Sequence, residues 1–209
     1  MGRREIGKLI TLLGADVSSQ YQQLLSEDSQ LLRRSFIRSF FAYVEGATYL
    51  LKQSRLSHAS QHSAEYTAAE MAMLAEENYS LNNKGEISTQ RKFLPTAENF
   101  LFAMRIFLKG IPNVDLGIDV GSVEWGNFKK ALQIRHRIVH PKSESDVEIS
   151  DSEKELLVHV CVWFNYVVVS MLIDCVDSLN ITTKQLKRET EQLKKGAEQL
   201  KKMLPPSST

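Results

Sequence analysis

Residues 125–142 read WGNFKKALQIRHRIVHPK, and the last nine of them, Ile134 to Lys142, hold the pair on which the reading of this chain turns, Arg135 and His140. Trp125, Phe128, Leu132, Arg135 and Val139 recur at steps of three and four, which places them on one stripe of an amphipathic helix. Arg135 thus falls in a row otherwise made of core residues, where a charge is costly unless it is paired or lines a wet cleft. His140 follows five residues later, about 140° further round an ideal helix, so the two heads do not share a face while the helix continues. Two solutions stand. Pro141 disfavours helical geometry at the residue before it, so the helix ends at His140 and the imidazole leaves the helical track, or a second copy of the chain supplies half of the site.

The residue types point to phosphate chemistry. A guanidinium that keeps its charge and an imidazole that titrates near neutrality can hold a phosphodiester and move a proton beside it, without a metal. The surroundings fit: Trp125 to Ser143 carries Lys129, Lys130, Arg135, Arg137 and Lys142, with His136 and His140 and no acid, although the whole chain has a formal charge of only +1. Such a basic patch is the footprint that a nucleic-acid backbone requires. The next stretch, Glu144 to Glu155, reverses sign, with six acids against Lys154.

Working outward, the chain reads as helical. At 209 residues and 43% hydrophobic content it suffices for one domain plus an appendage. Residues 1–25 suggest one or two short helices, and a principal core helix opens at Ser26 or Ser29, with Leu32, Phe36, Phe40, Val44, Ala47 and Leu51 on one side and Arg34, Arg38 and Glu45 on the other. Its aromatic residues read as packing rather than as a base-stacking platform. His58 and His62, with Glu65 a turn further on, have a spacing that could hold a metal, but nothing completes a ligand set, so no metal is expected. A helix through Ala64 to Glu77 precedes a small hairpin around Asn-Asn-Lys-Gly, residues 82–85. Thr96 is expected to cap a helix whose core face is Phe100, Leu101, Met104, Phe107 and Leu108, and Ser122 to cap the helix of the motif.

Ser150 or Ser152, with Glu153 or Glu155, starts a long apolar helix over about 156–179. It is nearly long enough to span a bilayer, but His159, Tyr166, Ser170, Asp174 and Asp177 give it a polar seam, so a buried helix, at a dimer interface, is expected rather than a membrane span. Cys161 and Cys175 would lie roughly 21 Å apart along it and do not bridge each other, which fits reduced thiols in a cytoplasmic protein. The tail repeats Gln-Leu-Lys-Lys or Gln-Leu-Lys-Arg every seven residues, with Leu179, Leu186, Leu193 and Leu200 in phase. Thr183, Thr190 and Ala197 fill the other seam position, so the tail is a weak coiled coil, a basic helix for RNA or another protein, or a solvated end.

Arg135-His136-Arg137-Ile138-Val139-His140 resembles the motif of the HEPN (higher eukaryotes and prokaryotes nucleotide-binding) superfamily: arginine, a polar residue, three variable residues, histidine. Its place before Pro141, late in a helical chain and ahead of one long apolar helix, is similar to that of the motif in the family's bundle of four to five helices, over residues 26–180. Many members are metal-independent endoribonucleases of toxin-antitoxin, abortive-infection and other defence systems. The resemblance implies Arg135 and His140 as the catalytic pair, His136 as the polar motif residue beside them, and a homodimer that sets two motifs across a two-fold axis. One toxin-type subgroup carries tyrosine two residues after the histidine, where this chain has Lys142.

The expectation is therefore an all-α, HEPN-like domain over 1–180 with a hairpin insertion, and a basic helical tail over 181–209. It would cut RNA by attack of the ribose 2′-hydroxyl, with Lys129, Lys130, Arg137 and Lys142 along the backbone and no cofactor. RNA, a second copy and a cognate antitoxin or defence partner are the expected partners. The alternative is a catalytically silent helical module that binds a protein or a nucleotide.

Overall fold

The computed structural model describes residues 3–59 and 65–203, with side chains described for 8–59 and 65–192. Six helices and one two-stranded hairpin follow in the order α1 (Arg3–Ser26), α2 (Gln30–Ala59), α3 (Ala68–Ala75), β1 (Glu77–Leu81), β2 (Ile87–Arg91), α4 (Thr96–Leu108), α5 (Val123–Val139) and α6 (Asp151–Met203), with a 3₁₀ turn at Glu144–Val147. The protein is thus mostly helical with a small antiparallel hairpin.

The first segment is one continuous helix rather than short pieces. Gly14 in its interior costs about 1 kcal/mol of propensity, but α1 lies along α2 closely enough that a Cβ on Gly46 would collide with Leu13 Cδ1. Burial of Val17 and Leu24 in the shared core outweighs the propensity loss. Ser29 opens α2, its Oγ accepting the Leu32 N–H at 3.4 Å. The expected stripe of α2 is buried from Phe36 through Leu51, with Leu32 packed at its edge.

The aromatic residues pack on one another. Phe164 of α6 sits 5.9 Å from Phe40, 5.0 Å from Phe100 and 6.4 Å from Phe128, ring centre to ring centre, so α2, α4, α5 and α6 meet at one cluster. Edge, tilted and stacked contacts of this kind add to the area they bury.

Two helix boundaries differ in detail from expectation. Pro95, in extended geometry, occupies the position before α4, and Thr96 is the first helical residue, with no side-chain cap. α3 is shorter than expected at both ends: Thr67, whose side chain accepts the Glu70 N–H, caps it before Ala68, and Glu76, left-handed at φ 56°, closes it. The hairpin pairs Leu81 with Ile87 and Glu77 with Arg91. Its turn is organised by Asn82, whose side-chain oxygen accepts the N–H groups of Lys84 and Glu86, and by Gly85 at φ 76°, which a side chain would disfavour.

Ser150 and Glu153 form the expected reciprocal cap of α6: Ser150 N–H donates to Glu153 Oε2 at 3.0 Å and Glu153 N–H to Ser150 Oγ at 3.2 Å. The helix then runs 53 residues without a break, about 80 Å, so the change of composition near residue 180 falls inside one element. It is buried on one side only. Leu157, Val160, Phe164, Val167, Val168 and Met171 face the core, while Val162, Tyr166, Val169, Ile173 and Val176 are each at least half exposed. By length and composition alone, the apolar part of α6 is sufficient to cross a membrane. Both cysteines are free and buried, and burial pushes the Cys161 thiol up to about 11.

Candidate functional site

α5 begins where Ser122 Oγ accepts the Trp125 N–H at 3.1 Å. It ends at Val139, two residues before the proline: His140 has φ −124° and ψ 58°, while its N–H still bonds His136 O at 3.0 Å. The termination at Pro141 is thus in place within a single chain.

The buried stripe of α5 is Trp125, Phe128, Ala131, Ile134 and Ile138. This corrects the row read from the sequence, in which Leu132, Arg135 and Val139 continued the core. Steps of three and four admit both rows, and the two diverge after Phe128; the apolar pair Ile134 and Ile138 takes the core. Arg135 is left on the shoulder, its side chain 29% exposed, with Nη2 donating to Glu45 Oε1 of α2 at 2.8 Å. Its charge is therefore satisfied by an ion pair that keeps contact with water.

Lys129, Gln133, His136 and His140 form the opposite, solvent-facing stripe, at steps of four, three and four, and all are exposed. Four residues of helical spacing bring the last two together: the imidazole centres are 5.0 Å apart with planes at 54°. The structure thus places His140 beside His136, while Arg135 lies round the helix beside Glu45. Neighbouring imidazoles suit acid–base work, one taking a proton as the other gives one.

The other expected RNA contacts divide. Lys129, Lys130 and Lys142 are exposed. Arg137 is engaged internally: Nη2 donates to Glu153 Oε1 at 2.8 Å and Nη1 to Ser145 O at 3.3 Å, fastening α5 to the start of α6. With Gln30, Arg33, Glu148 and Glu153 it lines a polar cleft of about 520 Å³ whose charges largely pair with one another. The Lys142 N–H donates to Asp146 Oδ2 at 2.8 Å. This bond, ahead of those from Ser143, holds the Asp146 carboxyl below its ordinary value and fixes the turn after the motif.

Glu45 is the site residue that the sequence concealed. It lies 90 residues from Arg135, and α2 periodicity alone marks it only as a solvent-side acid. His58, one of the two histidines at metal-like spacing, has Nδ1 3.2 Å from the Tyr66 hydroxyl; His62 lies outside the described residues. No family model, no curated protein and no solved structure matches this chain.

Proposed function

We propose that the chain is a HEPN-like helical module that cleaves RNA without a metal, in the cytoplasm, with a second copy and a defence or antitoxin protein as partners. The observation that carries this reading is the exposed His136–His140 pair, 5.0 Å between ring centres, at the end of a helix that also presents Lys129 and Lys130 to solvent. One imidazole takes the proton of a ribose 2′-hydroxyl as its oxygen attacks phosphorus. The other gives a proton to the departing 5′-oxygen, and a 2′,3′-cyclic phosphate is left on the upstream fragment. Arg135, released from Glu45 by the incoming phosphate, pairs with the non-bridging oxygens as charge develops there. The lysines hold the backbone, and a strand without 2′-hydroxyl groups is bound and not cut.

One observation favours a second reading, a silent module that binds a protein or a nucleotide: the Arg135–Glu45 pair already links α5 to α2 and gives the arginine a structural task. Incubation of RNA with wild type, Arg135→Ala and His140→Ala in excess chelator tests the choice. Cleavage by the wild type alone, with all three proteins equally folded, supports the nuclease. Binding without cleavage by all three supports the silent module.

A further inference from the structure

We infer that the cavity between α1, α2 and α6 is a binding site for a small, neutral two-ring aromatic molecule that carries one hydroxyl group. The cavity measures about 300 Å³, and Val17, Tyr21, Phe36, Val158 and Val162 give it apolar walls. An apolar cavity of roughly 150 Å³ takes up benzene, so this one has room for two rings. Aromatic walls suit a flat guest, and Tyr21 and Phe36 already pack with ring centres 5.7 Å apart.

Three polar side chains, Tyr43, Cys161 and Asn165, share the lining. Tyr43 is 8% exposed, and its ring stands edge-on to Phe164 with centres 5.6 Å apart. Among the described residues nothing hydrogen-bonds to its hydroxyl, and the one fully enclosed side-chain polar atom without a partner is Gln20 Oε1, so the Tyr43 hydroxyl is reached from the cavity it lines. Burial, and then the neighbouring Cys161, raises this hydroxyl above its ordinary value. Near neutral pH it therefore stays protonated, able both to donate and to accept. Asn165 Nδ2 donates to Cys161 O at 2.9 Å, which fixes the amide and leaves Oδ1 as an acceptor. A hydroxyl kept from bulk water without a partner is costly, and a guest hydroxyl bonded to Tyr43 and Asn165 removes that cost.

Charge excludes an anionic guest. No charged side chain lines the cavity. In the adjoining groove, which shares Tyr21 and Val158, Lys154 is engaged by Asp28 at 2.7 Å, and Glu155 and His159 are exposed. A carboxylate or phosphate entering the cavity would lose its hydration with no counter-charge in return. Gly14 keeps the space open: a Cβ there would stand 3.8 Å from Tyr43 Cε2, an ordinary contact, and a longer side chain would enter the cavity. All the lining residues belong to α1, α2 and α6 and none to the motif helix α5, so the site is independent of RNA cleavage.

The test titrates the full-length chain by calorimetry with three probes: 1-naphthol, naphthalene, which lacks the hydroxyl, and 1-naphthoate, which is charged. The naphthol is expected to bind once per chain, naphthalene up to about tenfold more weakly, and the naphthoate more weakly by at least about tenfold. Tyr43→Phe is expected to weaken the naphthol about as much as loss of the probe's own hydroxyl does, and to leave naphthalene unchanged. Gly14→Leu is expected to abolish binding of both with no fall in melting temperature, since leucine is the better helix former. Absence of saturable binding to wild type would mean that the cavity takes water alone. That result, undiminished naphthol binding by Tyr43→Phe or by folded Gly14→Leu, or naphthoate binding as tight as that of naphthol would each overturn the proposal.

Discussion

Arg135 Nη2 donates to Glu45 Oε1 at 2.8 Å, joining the end of α5 to the middle of α2 across 90 residues of sequence. A phosphate that reaches Arg135 must compete with this carboxylate. Glu45→Gln keeps the shape and removes the competing charge, so RNA is expected to bind several-fold more tightly to it. An exposed pair of this kind contributes up to about 1 kcal/mol to stability, so the melting temperature is expected to change by a few degrees at most. Weaker RNA binding by Glu45→Gln would show that the arginine acts only as a tether.

His136→Ala and His140→Ala are each expected to lower the cleavage rate by about 10²–10⁴, the usual contribution of a general acid or base. Both side chains are exposed, so their removal should leave the far-UV circular dichroism and thermal unfolding unchanged. Arg135→Lys is expected not to restore full activity, since a point charge lacks the planar fork.

Asp28 accepts hydrogen bonds from Arg33 at 2.6 Å and from Lys154 at 2.7 Å, tying the start of α2 to the start of α6. The Arg33 bond, then that of Lys154, holds its carboxyl well below the usual carboxylate range. The folded-state pKa is depressed, so the stabilisation is present above the unfolded value, about 3.9, and is lost as pH falls through the lower folded value. Between pH 4 and pH 2 the melting temperature of the wild type is expected to drop more than that of Asp28→Asn. Parallel curves would assign the acid sensitivity to other carboxyls.

Lys52 is 1% exposed, with Nζ 2.7 Å from Glu76 Oε1 and 3.1 Å from Asn99 Oδ1. It pins the α3–hairpin junction and α4 to α2. Glu76→Ala leaves a buried ammonium without its counter-charge and is expected to cost about 3–5 kcal/mol, whereas Lys52→Met removes charge and cost together and is expected to be nearly neutral. Urea unfolding measures both. A loss below about 1 kcal/mol in Glu76→Ala would mean that the ammonium finds water.

Local signals carried most of the fold. The α2 stripe, the Ser122 cap, the Asn82–Gly85 turn and the Ser150–Glu153 cap are legible because each is made by residues within a turn or two of one another. What the sequence could not separate were solutions of equal periodicity and contacts made at long range. On α5 two rows fit the same spacing, and only the shape of the rest of the bundle selects Ile134 and Ile138 over Arg135 and Val139. Glu45 and Lys52 are a plain acid and a plain lysine until α5, α3 and α4 fold against α2. Apolar composition marked α6 as an interior helix, yet half of its circumference faces outward, because α1, α2 and α5 cover only one side.

The most direct test of the proposed chemistry is the fate of a short RNA in excess chelator, with a second strand carrying a single 2′-deoxy nucleotide at the cut position. Wild type is expected to cut the first strand, leaving a 2′,3′-cyclic phosphate, to spare the second, and to lose this activity in His140→Ala. Cleavage of the deoxy-substituted strand, or undiminished cleavage by His140→Ala, would contradict the account.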